Sequence, residues 1–344
     1  MGRKLRISKK KIKIFLILII LGFIAVYVFN TDFSAIKKEL ATIGYKFIYL
    51  LGITFLAYFF GTWSWHVCLG DDRQKISLMK MFAVRQIGET VGQYNPTSIV
   101  GGDLLKAEML KPYGISTETA LSSVATSRIT VVLSQILLFL IACLWLSGME
   151  AGQAALKSIG VAFYVFIAFL ILLNLFFFYW LIFSRSTSKP VSSNTAKGFW
   201  KKLRLKIVQL IFNIRKSYRF NPRLFWYSYL LASIHWVIGS LEFYLILIFL
   251  GFDVQPMHGL LLDMGVIVFK SAGAFVPGQL GVEELGNKMM LQIIGISTAS
   301  IWISASILRR ARQLFWIAVG FILYLFIKKD SSQSSTLKNG NIIC

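Results

Sequence analysis

Six stretches of the chain stay apolar long enough to cross a bilayer: roughly 12–30, 46–69, 117–146, 158–184, 223–250 and 298–327. At about 1.5 Å of rise per residue, about 20 residues cover the roughly 30 Å hydrocarbon layer. Two further stretches, 78–113 and 257–295, break the pattern. They are only moderately apolar, are interrupted by Pro and Gly, and carry several ionisable residues. Their arms of about 11–17 residues are short for a crossing. Both therefore read as re-entrant helical hairpins, with irregular backbone allowed only where protein or a watery cavity surrounds it. Arms that crossed fully would add two spans per hairpin and leave every other orientation unchanged. The pattern predicts an all-α polytopic membrane protein made of one transmembrane domain, residues 1–327, with a disordered tail at 328–344. The first apolar stretch is too long for a signal peptide and lacks a small-residue cleavage site, so it reads as a signal anchor.

Composition supports that class. Of 344 residues, 56% are apolar and 15% charged, against about a quarter charged in a soluble domain. The net charge of +22 raises the question of nucleic acid, but no soluble recognition domain is long enough to build a binding surface. The charges are instead segregated. Residues 1–13 hold seven basic residues and 185–223 hold eleven, with no acid in either segment. The positive-inside rule places both in the cytoplasm, with both chain termini, and attraction to anionic headgroups follows. Within the linker 185–222, residues 199–216 set Leu203, Ile207, Leu210, Ile211 and Ile214 on one face. This predicts a basic amphipathic helix on the membrane surface.

A shift of 181 residues superposes the two halves without a gap. Leu69-Gly70 falls on Leu250-Gly251, Pro96 on Pro277, Gly114-Ile115-Ser116-Thr117 on Gly295-Ile296-Ser297-Thr298, and Arg128 on Arg309. Asp103 meets the chemically equivalent Glu284. Between 92 and 128 there are eleven identities in 37 positions, and Pro, Gly, acid and Arg do not share one register by chance. Repeat one covers about 12–146 and repeat two about 158–327. The parity of the spans makes them inverted, each with three helices and one hairpin. Paired, interrupted segments in inverted halves mark secondary transporters with a site near the midplane.

The residues expected to line a translocation path come from the hairpins and the helices after them. They are Asn95, Gly101, Gly102, Asp103, Lys106 and Arg128 in the first repeat, and Pro277, Gly281, Glu284 and Arg309 in the second. A charge at membrane depth costs about 2.5–3.5 kcal/mol on the lower scales, so such groups normally pair or line a pathway. Arg128 and Arg309 are expected to pair with Asp103 and Glu284, either as a fixed lock or as part of the path. Arg85 and Glu89, at i and i+4, are expected to pair locally, and Arg310 and Arg312 have no counterparts in the first repeat. His66, His235 and His258 have no metal-ligand spacing and read as packing residues. Cys68, Cys143 and Cys344 read as inert, and Trp63, Trp65, Trp200 and Trp226 as interfacial anchors. No nucleophile–base order, P-loop or dinucleotide motif occurs, so neither an enzyme nor a cofactor or metal is expected.

The run from Asn95-Pro96 through Gly101-Gly102-Asp103 and Lys106 to Arg128 resembles the first motif of the flippase-like transmembrane domain of lysylphosphatidylglycerol synthases. The run from Pro277-Gly278 through Leu280-Gly281-Val282 and Glu284 to Arg309 resembles the second. Lys106 stands where Arg is common, and Gln279 where Gly is expected. The resemblance covers nearly the whole chain and implies movement of a polar-headed lipid between leaflets. The soluble aminoacyltransferase domain of those synthases is missing from this sequence, so synthesis of lysylphosphatidylglycerol is not expected. The expected function is a lipid flippase-like transporter of the bacterial inner membrane that handles anionic or phosphate-bearing headgroups. The alternative is a non-transporting binding or assembly factor for an envelope lipid or glycosyltransferase. A homo-oligomer or an envelope-biosynthesis partner is compatible with either.

Overall fold

The computed structural model describes residues 33–94, 98–149, 160–183, 212, 215, 218–219, 221–273, 276, 279 and 281–340. The first apolar stretch, 12–30, lies outside the described residues, as does nearly all of the basic amphipathic segment 199–216. Among the described residues the fold is entirely helical. It runs α1 (Phe33–Ile43), α2 (Phe47–Val67), α3 (Leu78–Tyr94), α4 (Ser98–Met109), α5 (Thr117–Ser147), α6 (Val161–Phe183), α7 (Pro222–Phe249), α8 (Pro256–Ala272), α9 (Val282–Ile293) and α10 (Ala299–Gly340).

Five helical segments of the described chain are long and apolar enough to cross a membrane: Ile36–Val67, Thr117–Ser147, Val161–Phe183, Pro222–Phe249 and Ala299–Ile327. They coincide with five of the six apolar stretches. The interrupted stretches are helical pairs, α3–α4 and α8–α9, with 17 and 12 residues in the two arms of each. Two elements differ from expectation. Residues 31–45 read as a loop, yet Phe33–Ile43 is helical and packs on α10, with Ile36 and Ile43 buried. The expected disordered tail is helical to Gly340. No Gly or Pro interrupts 321–339, so nothing in the chain terminates that helix earlier.

Local chemistry sets the boundaries. Ser116 caps α5 by accepting from the Thr119 amide at 3.1 Å, a standard N-terminal arrangement. Pro222 and Pro256 open α7 and α8, where a missing N–H costs nothing. At α8 the Gln255 amide donates to His258 Nδ1 at 3.0 Å. Gly70 and Gly251 turn the chain at φ +61° and +90°. Gly114 and Gly295 do the same at φ +74° and +87°, a conformation that favours glycine. Each of these pairs is related by the 181-residue shift.

The packing has a reciprocal pattern. The largest helix–helix contact is between α2 and α7, which occupy corresponding places in the two halves. The second arm of each hairpin lies on the long helix that follows it, α4 on α5 and α9 on α10. The first arm lies on the long helix of the other half, α3 on α10 and α8 on α5. The apolar core, around Phe243, Leu261, Leu262, Met264 and Leu291, sits between α7, α8 and α9. By contrast α6 leaves Tyr164, Phe169, Leu172, Phe176 and Phe183 exposed, and packs mainly on α5. That outward apolar face suits hydrocarbon as solvent.

Candidate functional site

Close approach of α3 and α4 creates one wall of a cavity of about 410 Å³. Gly102 makes this possible, because a Cβ there would lie 2.5 Å from the Gly88 carbonyl oxygen and 2.9 Å from Gly92 Cα. The other walls come from α2, α5, α7, α8 and α10, so both halves of the chain contribute. Tyr58, Trp236 and Trp316 supply aromatic surface and Val124, Val131 and Ile267 apolar surface, and charged side chains stand among them.

Two ion-pair constellations meet here. In the first, Arg128 on α5 grips Asp103 on α4 with both prongs, Nη2 to Oδ1 at 2.7 Å and Nε to Oδ2 at 3.2 Å. Lys106 Nζ lies 3.0 Å from Asp103 Oδ1 and 2.5 Å from Glu89 Oε1. In the second, Arg309 on α10 donates from Nη1 to Asp263 Oδ1 on α8 and from Nε to Glu283 Oε1 on α9, each at 3.0 Å. Glu283 Oε2 also takes Gln313 Nε2 at 2.7 Å and Lys270 Nζ at 3.3 Å. Arg312 Nε lies 2.5 Å from Glu242 Oε1 on α7, and Arg312 Nη1 donates to the Tyr58 hydroxyl on α2 at 2.7 Å. Such planar, forked contacts are what a guanidinium gives and an ammonium does not.

Of the residues chosen from sequence, Gly102, Asp103, Lys106, Arg128 and Arg309 line the cavity. Gly101, Gly281 and Glu284 are not among its lining residues, and Asn95 and Pro277 lie outside the described residues. The expected Arg128–Asp103 pair is present within the first half. The expected Arg309–Glu284 pair is not. Glu284 accepts the Gly281 amide at 2.8 Å, closing the start of α9, and its other oxygen pairs with Arg310. The partner of Arg309 is the neighbouring Glu283, which faces about 100° away around the helix. Arg85 and Glu89 do not form the local pair either, because Lys106 reaches Glu89 from α4.

Reasoning from sequence passed over Glu242 and Asp263. Each is the only acid in its apolar helix, and an acid at membrane depth is itself a signal. Trp65 also departs from the anchor role. It is buried, and its Nε1 donates to Ser123 Oγ at 3.2 Å. His66 Nε2 lies 3.0 Å from the carbonyls of Arg73 and Ile76 and fixes the turn after α2. His235 Nδ1 lies 2.6 Å from the Ala57 carbonyl and ties α7 to α2.

The two constellations differ in exposure, which gives a stability prediction. The Arg128 side chain is 37% exposed, and Asp103 keeps Lys106 if Arg128 is lost. Arg128→Met is therefore expected to cost only about 1 kcal/mol, read as unfolding in mixed detergent micelles. Reversing the pair as Asp103→Arg with Arg128→Asp is expected to be milder than either reversal alone.

The helical spans, the lipid-suited outer face and the internal polar cavity define a multi-pass membrane protein. Its family is equally plain. The chain belongs to the family described as the lysylphosphatidylglycerol synthase TM region, whose model matches residues 12–320. No curated protein and no solved structure matches the chain.

Proposed function

We propose that the protein is a flippase-like transporter that moves a polar-headed lipid, or a lipid-linked intermediate, between leaflets of the bacterial inner membrane. The observation that carries this reading is the charged cavity, to which both hairpin regions contribute although the helices around it are apolar. A headgroup would enter that polar seam while its tails stay in hydrocarbon. The two halves act as inverted repeats: the glycine turns share one register, and each hairpin packs on the other half's long helix. Rocking one half against the other would expose the cavity alternately to the two sides. The basic segments at 1–13 and 185–223 put both termini in the cytoplasm.

Reconstitution tests this directly. Liposomes carrying the protein and a lipid with a quenchable headgroup label are expected to lose the protected inner-leaflet signal faster than protein-free vesicles. Arg309→Met is expected to abolish the difference. Equal rates with and without protein, across anionic and zwitterionic labelled lipids, would refute transport.

A further inference from the structure

We infer that Arg85 is the anchor for a phosphate-type monoanion in the cavity. The inference rests on the transport reading for its biological meaning, but on charge accounting for its chemistry. Six cationic side chains line the cavity, together with four acids, and a fifth acid, Glu283, is held by three donors just behind it. Every acid in this group has a cation: Glu89 has Lys106, Asp103 has Arg128, Glu242 has Arg312, Asp263 has Arg309, and Glu283 has Lys270 with Arg309 bridging to it as well. The sixth cation is Arg85, and among the described residues no ion pair includes it.

The surroundings of Arg85 hold it in place without neutralising it. Its guanidinium carbon lies 5.3 Å from the centroid of the Tyr58 ring, a cation–π contact that orients the plane. The Tyr58 hydroxyl accepts a hydrogen bond from Arg312 at 2.7 Å, so the ring that Arg85 lies over is itself held in place. Gly61 makes room, since a Cβ there would sit 3.1 Å from Arg85 Nη2. Arg85 is half-buried and faces the cavity. A held guanidinium with no ion-pair partner of its own among the described residues, its nearby acid Glu89 already bound by Lys106, selects an oxyanion that can accept two N–H groups. One uncompensated charge matches one negative charge, as on a phosphodiester. Arg128 and Arg309 already have carboxylate partners that offset their charge.

The test is binding to purified protein in neutral detergent, with three probes: dihexanoyl phosphatidylglycerol, its deacylated phosphodiester glycerophosphoglycerol, and a dihexanoyl amphiphile with a trimethylammonium head. The intact protein is expected to bind the first most tightly and the third not at all. Arg85→Gln is expected to weaken phosphatidylglycerol binding at least tenfold. Arg85→Lys, which keeps the charge and loses the fork, is expected to fall between. Glu89→Gln removes an acid from beside Lys106 and should tighten anion binding, so a gain of affinity accompanies the losses. Binding of glycerophosphoglycerol that also depends on Arg85 makes the recognised group the phosphodiester itself. Binding of the lipid alone makes it a headgroup held together with its chains. Unchanged affinity in folded Arg85→Gln, or preference for the cationic amphiphile, overturns the inference. Arg85-dependent binding without lipid movement supports the anchor and counts against transport. Lipid movement insensitive to Arg85→Gln does the reverse.

Discussion

Arg309→Met is expected to destabilise the protein by about 3–5 kcal/mol, the cost of leaving a buried charge without its partner. Arg309 is 4% exposed. Its three neighbouring acids would not suffer equally. Glu242 keeps Arg312, and Glu283 keeps Lys270 and Gln313. Asp263 keeps nothing among the ion pairs of the described residues. Most of the penalty therefore falls on Asp263, and the double variant Arg309→Met with Asp263→Asn is expected to recover more than half of it. Pairing Arg309→Met with Glu283→Gln should recover less, because Glu283 retains other donors. The methionine also keeps apolar contact with the Phe243 ring, over which the guanidinium now lies at 4.2 Å, so the loss reports charge rather than packing. Unfolding in mixed micelles with increasing sodium dodecyl sulfate measures all three. Equal rescue by the two carboxamide changes would show that Asp263 is not the residue left exposed. Arg310→Met provides the contrast, since Arg310 and Glu284 are both partly exposed, and a change under about 1 kcal/mol is expected.

The same site shows how far the sequence could be read. Spans are legible because hydrocarbon demands apolar residues on every outward face, so length and composition suffice without knowledge of helical phase. The hairpins are legible because Pro and Gly interrupt helices whatever surrounds them. The first constellation is half legible: Asp103 and Arg128 stand at conspicuous positions, and their pairing is local to one repeat. The second constellation hides because the 181-residue register does not carry its acids. The three acids around Arg309 are Glu242, Asp263 and Glu283, and the positions 181 residues earlier hold Gly61, Phe82 and Gly102. Register therefore points away from all three and toward Glu284, which the helix turns outward. The difference has a physical logic. Gly61 and Gly102 give space in one half, to Arg85 and to the α3–α4 crossing, where Glu242 and Glu283 give charge in the other. Lys270 likewise stands at the position of Glu89, so a cation in one half replaces an acid in the other. The cavity is symmetric in its helices and asymmetric in its charges, and only placing both halves together reveals the surplus on Arg85.

Gly102→Ala is expected to have the second large effect, through backbone rather than charge. The added Cβ would sit 2.5 Å from the Gly88 carbonyl oxygen, 2.9 Å from Gly92 Cα and 3.1 Å from Gly92 N. All three atoms are backbone of α3, so no side chain can rotate away and the two arms must separate. Overpacking of this kind costs about 1–3 kcal/mol, more than the gain of alanine over glycine in helix propensity, which is at most about 1 kcal/mol. Function should suffer beyond stability. Asp103 and Lys106 are carried on α4, and Glu89 on α3, so widening the crossing stretches the Lys106–Glu89 contact that spans them. Gly88→Ala separates these two consequences. Its Cβ would lie 2.3 Å from Cγ, 2.9 Å from Cε and 3.1 Å from Cδ of Lys106, so the nearest obstacle is a side chain rather than backbone. That variant is expected to displace Lys106 and lose the Glu89–Lys106 pair while the two arms stay in contact, whereas Gly102→Ala parts the arms as well. Gly52→Ala, with nothing within 4 Å of the new methyl group, is expected to be neutral. Unfolding in micelles and headgroup accessibility in liposomes, measured on all three, decide the matter. If Gly102→Ala matches Gly52→Ala in both, the α3–α4 crossing is not the constraint that shapes the cavity.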